Sequence, residues 1–228
     1  MKLKSYLTQI AWGAILLMAV SCSDMNELHD VYLQNGETIY TGRVDSVKVF
    51  AGNERVLLRY WISDAKAKNI VVYWLSRTDS VKLGIPEKQV NDSVDVYINE
   101  LPEGSLYFEI FTLNKDMKNR SVPFEIGGSV YGSKYQSTLL NRTIKTINKD
   151  PATGILTITW VGSIEKSVGC EIEYTDDNGT SYAKRIPPKE NPTILQNVAG
   201  NLRYRTLFLP EETAIDTFYT GFRPIPLN

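Results

Sequence analysis

Few residues of this chain have the types and spacing that catalysis or metal binding requires. His29 is the only histidine, so a Ser-His-Asp or Cys-His arrangement and any multi-histidine metal site are almost excluded. No glycine-rich phosphate loop of the Walker or dinucleotide type is present. Asp176-Asp177-Asn178-Gly179 lacks the length and closing glutamate of an EF-hand loop, which favours a tight turn over a calcium site. We therefore predict no catalytic residue, no metal and no cofactor.

Glu171 and Glu173 are the best candidates for the paired carboxylates of a glycosidase. The residues that alternate with them are apolar enough to face inward, namely Cys170, Ile172 and Tyr174. The glutamates then point outward, and a neighbouring sixth strand would present Arg203 and Arg205 on the same face. Opposite charges across neighbouring strands stabilise a sheet by roughly 0.2–1 kcal/mol per pair. We interpret this group as structural and predict that the protein is not an enzyme.

The N-terminus contains the features of a secretory signal. Lys2 and Lys4 precede an apolar run of 11 residues, Ile10 to Val20. A membrane-spanning helix needs about 20 residues, so this run fits the apolar region of a signal peptide instead. It ends in Ala19-Val20-Ser21-Cys22. The thiol of Cys22 therefore lies where a processing site is expected.

Small residues just before a cysteine resemble the lipobox of bacterial lipoproteins, in which the thiol is acylated and the chain is cut before it. Ala19 stands where leucine is commoner, and an ordinary signal peptide with a chance cysteine is the alternative. We predict a signal peptide over 1–21, lipidation of Cys22 and a tether with a short helix over 22–38. Cys170 would then have no disulfide partner and would be a buried free thiol.

The acidic stretch Ser23-Asp24-Met25-Asn26-Glu27 resembles the surface-export signal of Bacteroidota lipoproteins. It implies an outer-membrane protein exposed at the cell surface, with the periplasmic face as the alternative. The chain has 25 Lys and Arg against 26 Asp and Glu. Such a balance gives no basic footprint for nucleic acid, so we expect none as a partner.

The rest of the chain has the pattern of an all-β protein. Hydrophobic content of 43% and aromatic content of 11% indicate packed cores. A first set of seven strand-like runs comprises 44–50, 55–63, 70–75, 80–83, 93–98, 106–113 and 122–126. A second set comprises 142–147, 155–160, 170–175, 181–186, 193–198, 202–208 and 217–220. Linker-like Gly127-Gly128-Ser129 and Tyr131-Gly132-Ser133 separate the sets, and Asp177-Asn178-Gly179 predicts a hairpin turn.

The two sets align with each other. Val56, Leu58 and Tyr60 correspond to Leu156, Ile158 and Trp160, and Gly104 precedes Phe108 as Gly200 precedes Tyr204. This pattern resembles two fibronectin type III or immunoglobulin-like β-sandwiches in tandem. We place the domains at 39–130 and 131–228.

Several stretches resemble an uncharacterised family of Bacteroidota lipoproteins, known only as a domain of unknown function. The stretches span about 25–220 and are Ile39–Ser46, Trp61–Asp64, Tyr131-Gly132 with Tyr135, Leu140-Asn141-Arg142 and Ala214–Tyr219. The resemblance implies that the protein accompanies a surface glycan-uptake system.

The first predicted sandwich offers a candidate ligand-binding surface. If Ile70, Val72 and Trp74 point inward, the outer face of that sheet carries Tyr73, Tyr107 and Phe111, and Trp61 is outward on the other sheet. Exposed aromatic patches usually bind a partner, and flat rings stack well on sugar rings. Three alternatives remain open for the patch: internal cover, a protein partner or a glycan. A register shift of one residue would exchange the two faces. For the outward Trp61 we expect packing against Tyr131 and Tyr135 at the junction of the two domains.

These observations predict a non-catalytic surface lipoprotein that acts as a binding or accessory module, with glycan capture as its role. The alternative is a structural or adhesive module of a surface assembly. The expected partners are the membrane, through the lipid anchor, and a polysaccharide or a surface protein.

Overall fold

The computed structural model describes residues 40–87 and 92–227, which form a nearly all-β protein. The first half contains seven strands: β1 Ser46–Ala51, β2 Arg55–Trp61, β3 Asn69–Trp74, β4 Asp79–Gly84, β5 Val94–Asn99, β6 Gly104–Leu113 and β7 Phe124–Val130. Helix α1 spans Ser133–Thr138. The second half contains β8 Ile144–Lys149, β9 Leu156–Trp160, β10 Ser167–Thr175, β11 Ser181–Ile186, β12 Thr193–Leu195, β13 Gly200–Phe208, β14 Phe218–Tyr219 and β15 Arg223–Pro224. Within the described residues, no helix is both long and apolar enough to cross a membrane.

The first half forms a sandwich of two antiparallel sheets. One sheet has the order β1-β2-β5 and the other the order β4-β3-β6-β7. Alternate residues of the strands meet between the sheets, as a period of two requires. Fully buried Val56, Leu58 and Tyr60 on β2 belong to the same core as Phe108 and Ile110 on β6.

The second half repeats this arrangement. Its sheets have the orders β12-β9-β8 and β11-β10-β13-β14, and β15 also pairs with β13. The buried core contains Leu156, Ile158 and Trp160 on β9, together with Ile172 on β10 and Tyr204 on β13. The Trp160 and Tyr204 rings meet edge to face with centroids 5.4 Å apart.

The strand orders identify the fold. In each half the first, second and fifth strands form one sheet, and the fourth, third, sixth and seventh form the other. This is the arrangement of a fibronectin type III sandwich, one of the immunoglobulin-like architectures. The predicted fold class of two tandem sandwiches is therefore confirmed, and so is the correspondence between the β2 and β9 core residues. The domain limits 39–130 and 131–228 stay a prediction, because residues 41–228 form one compact unit.

The predicted linker at Gly127-Gly128-Ser129 is wrong, because these residues continue strand β7. A Cβ on Gly128 would lie 2.5 Å from Val49 Cγ1 of β1. Glycine is therefore present so that β7 can pass close to β1, and its role is packing rather than chain flexibility. The connection between the sandwiches instead contains α1, a short helix that the sequence pattern did not predict.

Candidate functional site

The predicted aromatic surface lies on the outer face of the β4-β3-β6-β7 sheet. Ile70 and Val72 are buried in the core, so the predicted register is right and Tyr73 points away from that core. Tyr107 is 57% exposed, and its hydroxyl donates to Glu125 Oε2 at 3.3 Å. Tyr73 is half-buried and meets the Phe111 ring edge to face at 5.8 Å.

The expectation that Phe111 is exposed is wrong, because only 2% of it is accessible. Two arginine side chains cover its ring: the guanidinium carbons of Arg120 and Arg77 lie 4.5 and 5.4 Å from the ring centroid. Arg120 comes from the β6–β7 connection, and Arg77 from the β3–β4 turn, where it is also paired with Glu109. A ligand could reach the Phe111 ring only after both arginines moved. Of the three predicted aromatic residues, Tyr107 alone presents a large exposed surface.

Trp61 points away from the core on β2, as predicted, but it does not lie beside the second sandwich. It ends β2, whose first residue Arg55 is at the contact with the second sandwich. Six residues of extended strand separate Trp61 from that contact by about 20 Å, so the expected packing on Tyr131 and Tyr135 is wrong. Trp61 is half-buried, with Lys48 Nζ 5.8 Å from the centroid of its ring.

The two sandwiches meet at a joint whose centre is Asp216, in the β13–β14 connection. Its carboxylate accepts from Arg55 Nε at 2.8 Å and Nη2 at 2.5 Å, and from the backbone N–H of Asn53 at 2.8 Å. The Asp216 side chain is 19% exposed. The hydrogen bond from Arg55 is the main reason that the pKa of Asp216 lies below its ordinary value of 3.8, although burial opposes the shift. Bidentate pairing of this kind fixes direction as well as distance.

Backbone contacts extend the joint on both sides of Asp216. The Ile215 N–H donates to the carbonyl of Ala51 at 2.8 Å, and the Tyr131 N–H donates to the carbonyl of Gly52 at 3.0 Å. A Cβ on Gly52 would lie 2.6 Å from Asp216 Oδ2 and 2.8 Å from Ile215 Cγ1. Only glycine allows the β1–β2 turn to approach the second sandwich this closely.

Three aromatic rings complete the joint. Tyr131, Tyr135 and Phe218 meet edge to face, with centroid distances of 4.8, 6.2 and 5.2 Å between the three pairs. The Tyr131 hydroxyl donates to Glu211 Oε1 at 3.1 Å. Edge-to-face pairs add about 0.5–1.5 kcal/mol each beyond area burial. Charged, backbone and aromatic contacts therefore all fix one sandwich on the other.

Glu103 of the first sandwich holds the helix that leads into the joint. Its carboxylate oxygens accept from the backbone N–H groups of Lys134 and Tyr135 at 2.8 and 2.6 Å. The first N–H groups of a helix have no partner within it, and an acid near them is also stabilised by the helix dipole. Glu103 thus orients α1 and, with it, the Tyr135 ring.

The outer face of the second sandwich carries the charge pairs that the sequence predicted. Glu171 is opposite Arg205, and Glu173 is opposite Arg203, in the β10–β13 register. Arg205 Nε donates to Glu171 at 2.5 Å, and Arg203 Nε donates to Glu173 at 2.7 Å. The two glutamates therefore form cross-strand ion pairs. Their arrangement matches the structural interpretation and not the two sides of a catalytic cleft.

Cys170 is a free and fully buried thiol, as predicted. Burial raises its pKa, and this effect outweighs the hydrogen bond with Thr206 and the positive charge of Arg142. The thiol therefore stays protonated near neutral pH and is a poor nucleophile. Its sulfur lies 3.8 Å from Thr206 Oγ1, which places it in the packed interior of the second sandwich.

Several predicted features lie outside the described residues: the signal peptide 1–21, lipidation at Cys22, the tether 22–38 and His29. Within the described part of the chain, no group of three or more His, Cys, Asp or Glu residues could hold a metal ion. No pattern in the sequence pairs Arg55 with Asp216. The family resemblance is the sequence feature that comes closest to indicating this pair, because two of its stretches, 131–135 and 214–219, lie in the joint.

The structure is a pair of fibronectin type III sandwiches that contact each other through an ion pair, backbone hydrogen bonds and packed aromatic rings. The chain belongs to the DUF4998 family, a domain of unknown function, whose model matches residues 22–218. No curated protein sequence matches the chain.

Three of the solved structures that are similar to this chain are the following. The FN1–FN3 domains of chicken CNTN1 match at 11% identity and a TM-score of 0.44, over 83% of this chain and 66% of that one. A two-domain fibronectin type III segment of chicken tenascin matches at 14% identity and a TM-score of 0.31, over 80% of this chain and 99% of that one. The BSP domain of a biofilm-associated protein matches at 13% identity and a TM-score of 0.30, over 78% of this chain and 29% of that one. The chain thus spans just under two thirds of the CNTN1 segment and less than one third of the biofilm-associated chain.

Proposed function

We propose that this protein is a non-catalytic binding module, held at a cell surface by a lipid on Cys22, and that it captures glycans there. The observation that carries the proposal is the joint around Asp216. Enzymes that close over a substrate use hinges between their moving parts. Here a charged clamp, backbone hydrogen bonds and three packed rings cross the same junction, which suits a rigid arm that holds a ligand.

The anchor is tested by metabolic labelling of cells with a clickable palmitate analogue. The full chain should incorporate the label, and Cys22→Ser should abolish incorporation because the acylated thiol is gone. Cys170→Ser is the matched control and should keep the label. Loss of label in both variants, or in neither, would contradict lipidation at Cys22. Protease treatment of intact cells then distinguishes surface exposure, which predicts digestion, from the periplasmic face.

Glycan capture is tested with the full chain carrying Cys22→Ser, which removes the acylation site. Native gels that contain a polysaccharide should retard this protein relative to gels without it. The panel comprises the neutral polysaccharides galactomannan, arabinoxylan and mixed-linkage glucan, with anionic polygalacturonate for comparison. The polysaccharide should remain intact after incubation. Retardation by none of the panel, or hydrolysis of a member, would overturn the proposal.

An adhesive module is the second candidate, and two exposed apolar side chains favour it. Leu140 is 75% exposed and Val161 is 66% exposed. The segments that carry them are hydrogen-bonded to each other, because the Val161 N–H donates to the carbonyl of Thr143 at 3.0 Å. A photo-crosslinking residue at position 161 on intact cells would capture a protein neighbour if this surface is an interface. The same residue at position 97, where Tyr97 is 53% exposed on the first sandwich, serves as the control.

A further inference from the structure

A shallow pocket lies where helix α1 meets the outer face of strands β6 and β7. Its volume is about 430 Å³, which is within the range of about 300–1,000 Å³ for small-molecule sites. The strands and the helix both contribute to its lining, which includes Ser105, Ser129, Lys134, Tyr135 and Thr138. A ligand in the pocket would therefore contact the sheet and the helix at once.

The strand register places this pocket on the same face as Tyr107. Leu106 and Val130 belong to the buried core of the first sandwich, so the residues that alternate with them point outward. Ser105 and Ser129 are outward and directly opposite each other across β6 and β7. Tyr107 is two positions further along β6, which corresponds to about 7 Å on the same outer face.

Tyr107 presents a ring whose orientation is fixed on the sheet. Gly127 is directly opposite it on β7, and a Cβ on Gly127 would lie 4.0 Å from Tyr107 Cδ2. The Tyr107 hydroxyl donates to Glu125 Oε2 of the same strand at 3.3 Å, so the side chain extends across β7. Glycine has no side chain that could cover the ring, and Tyr107 is 57% exposed. A ring that is already oriented loses little conformational entropy when a ligand stacks on it.

The contacts of the joint hold the helical wall of the pocket in place. Glu103 accepts from the backbone N–H groups of Lys134 and Tyr135, at 2.8 and 2.6 Å. The Tyr135 ring packs edge to face on Phe218 of the second sandwich, with centroids 5.2 Å apart. The wall is therefore positioned before a ligand arrives, and its position depends on how the two sandwiches are joined.

The charges around this surface favour an uncharged ligand. Glu103 lines the pocket, Glu125 lies beside Tyr107, and Lys134 is a cation in the lining. An anionic ligand would be repelled by the excess of carboxylates, whereas a neutral ligand would not. The hydroxyl groups of Ser105 and Ser129 can each donate and accept a hydrogen bond, which suits a ligand with hydroxyl groups.

A sugar ring has a flat apolar face and a rim of hydroxyl groups, and this surface matches both. We infer that the outer face of β6 and β7 between Tyr107 and α1 binds a neutral saccharide. Tyr107 is its stacking platform, and the pocket at Ser105 and Ser129 binds ligand hydroxyl groups. The inference rests on the proposed glycan capture and names its site. It keeps Tyr107 of the predicted surface and replaces Tyr73 and Phe111 with the pocket.

The test measures retardation of the full chain with Cys22→Ser in gels containing each polysaccharide of the panel. Tyr107→Ala should weaken binding to the retained neutral polysaccharide at least about tenfold, which corresponds to about 1.4 kcal/mol. Tyr107→Phe keeps the ring and should lose only about twofold to threefold of the affinity. Ser105→Leu should also weaken binding, because it removes a hydroxyl group and fills part of the pocket.

Tyr182→Ala is the matched control. Tyr182 lies in the second sandwich and is 44% exposed, and its hydroxyl donates to Asp176 Oδ2 at 3.1 Å. It is thus a second exposed tyrosine with its hydroxyl on a carboxylate, and Tyr182→Ala should bind as well as the parent protein. Unchanged unfolding midpoints ensure that the variants are folded, as expected for exposed side chains.

The outcomes separate the site from the function. If the parent protein is retarded and Tyr107→Ala binds equally well, this face is not the site, although glycan capture stands. Loss of binding in Tyr182→Ala but not in Tyr107→Ala would move the site to the second sandwich. Full binding by Ser105→Leu would exclude the pocket, and preference for polygalacturonate would overturn the neutral ligand. If no polysaccharide retards the parent protein, glycan capture itself fails.

Discussion

The outer faces of the β4-β3-β6-β7 and β11-β10-β13-β14 sheets combine arginine with aromatic rings in opposite ways. In the first sandwich the ring belongs to the strand, and the arginines over Phe111 come from a turn and a connection. In the second sandwich the arginines belong to strand β13, and the rings come from the C-terminal segment: the Arg205 guanidinium lies 4.3 Å from the Tyr219 centroid and 4.7 Å from that of Phe222.

Whether the strand supplies the ring or the arginine determines which side chain is buried. Phe111 is 2% exposed, whereas the side chains of Arg205 and Glu171 are each 26% exposed. An apolar strand residue on an outer face loses its contact with water when long side chains lie over it. A charged strand residue can pair across the sheet and remain partly solvated. The corresponding outer faces of the two sandwiches thus carry a buried ring in one and an ion-pair surface in the other.

The largest effect is expected from Phe111→Ala, which would break the covered face of the first sandwich. Removing a buried phenylalanine costs about 3–5 kcal/mol, and we expect about 3 kcal/mol because the covering arginines can move into the space. Urea unfolding of the Cys22→Ser chain measures the loss. Tyr107→Ala, on the same strand and face, should change stability by less than about 0.5 kcal/mol. Equal effects of the two substitutions would show that Phe111 is not covered in solution.

The second-largest effect is expected at the joint, where a substitution would uncouple the two sandwiches. Asp216→Ala leaves Arg55 and the Asn53 N–H without their acceptor, and we expect a loss of about 1–2 kcal/mol. Calorimetry should then show two separated transitions where the parent protein shows one. Asp95→Ala is the matched control, because the Arg59–Asp95 pair is also bidentate but exposed within one sandwich. A single transition in Asp216→Ala would contradict the role of this clamp.

The sequence predicted the parts of this comparison that depend on alternation along a strand. The spacing of Val56, Leu58 and Tyr60 matches that of Leu156, Ile158 and Trp160, and it predicts them as core residues. The outward direction of Phe111 followed from the same rule. Glycine composition misled the prediction at Gly128, because a close approach between strands and a flexible linker use the same residue type.

Coverage and the joint depend on contacts that no local pattern encodes. Arg77 reaches Phe111 from a turn in which Leu75, Ser76 and Arg77 all have positive φ, at 49°, 54° and 66°. No glycine marks that turn, although glycine is the usual residue for such a backbone. Arg55 and Asp216 are 161 positions apart. Their pairing depends on how one sandwich is seated on the other, which alternation within strands does not specify.

The pH dependence of stability tests the contribution of the Arg55–Asp216 pair to the joint. The Arg55 hydrogen bond holds the pKa of Asp216 below 3.8 in the folded state. Its stabilisation is fully present above the ordinary pKa of about 3.8 and is lost as the pH falls through the lowered folded value. The difference in unfolding free energy between the parent protein and Asp216→Asn should therefore be constant near neutral pH and shrink below about pH 3.8. A difference that grows on acidification would exclude this linkage.

The smallest effect is expected on the charged face of the second sandwich. Glu171→Gln removes the charge from the Arg205 pair but keeps a hydrogen-bond acceptor of similar shape. Partly exposed ion pairs contribute about 0–1 kcal/mol, and Arg205 keeps the Tyr219 and Phe222 rings on its guanidinium. We expect a loss below about 0.5 kcal/mol in urea unfolding and no change in polysaccharide retardation. A loss as large as that of Phe111→Ala would mean that the ion pair, and not the rings from the C-terminal segment, holds this face together. Loss of binding with normal stability would instead make Glu171 part of the ligand site.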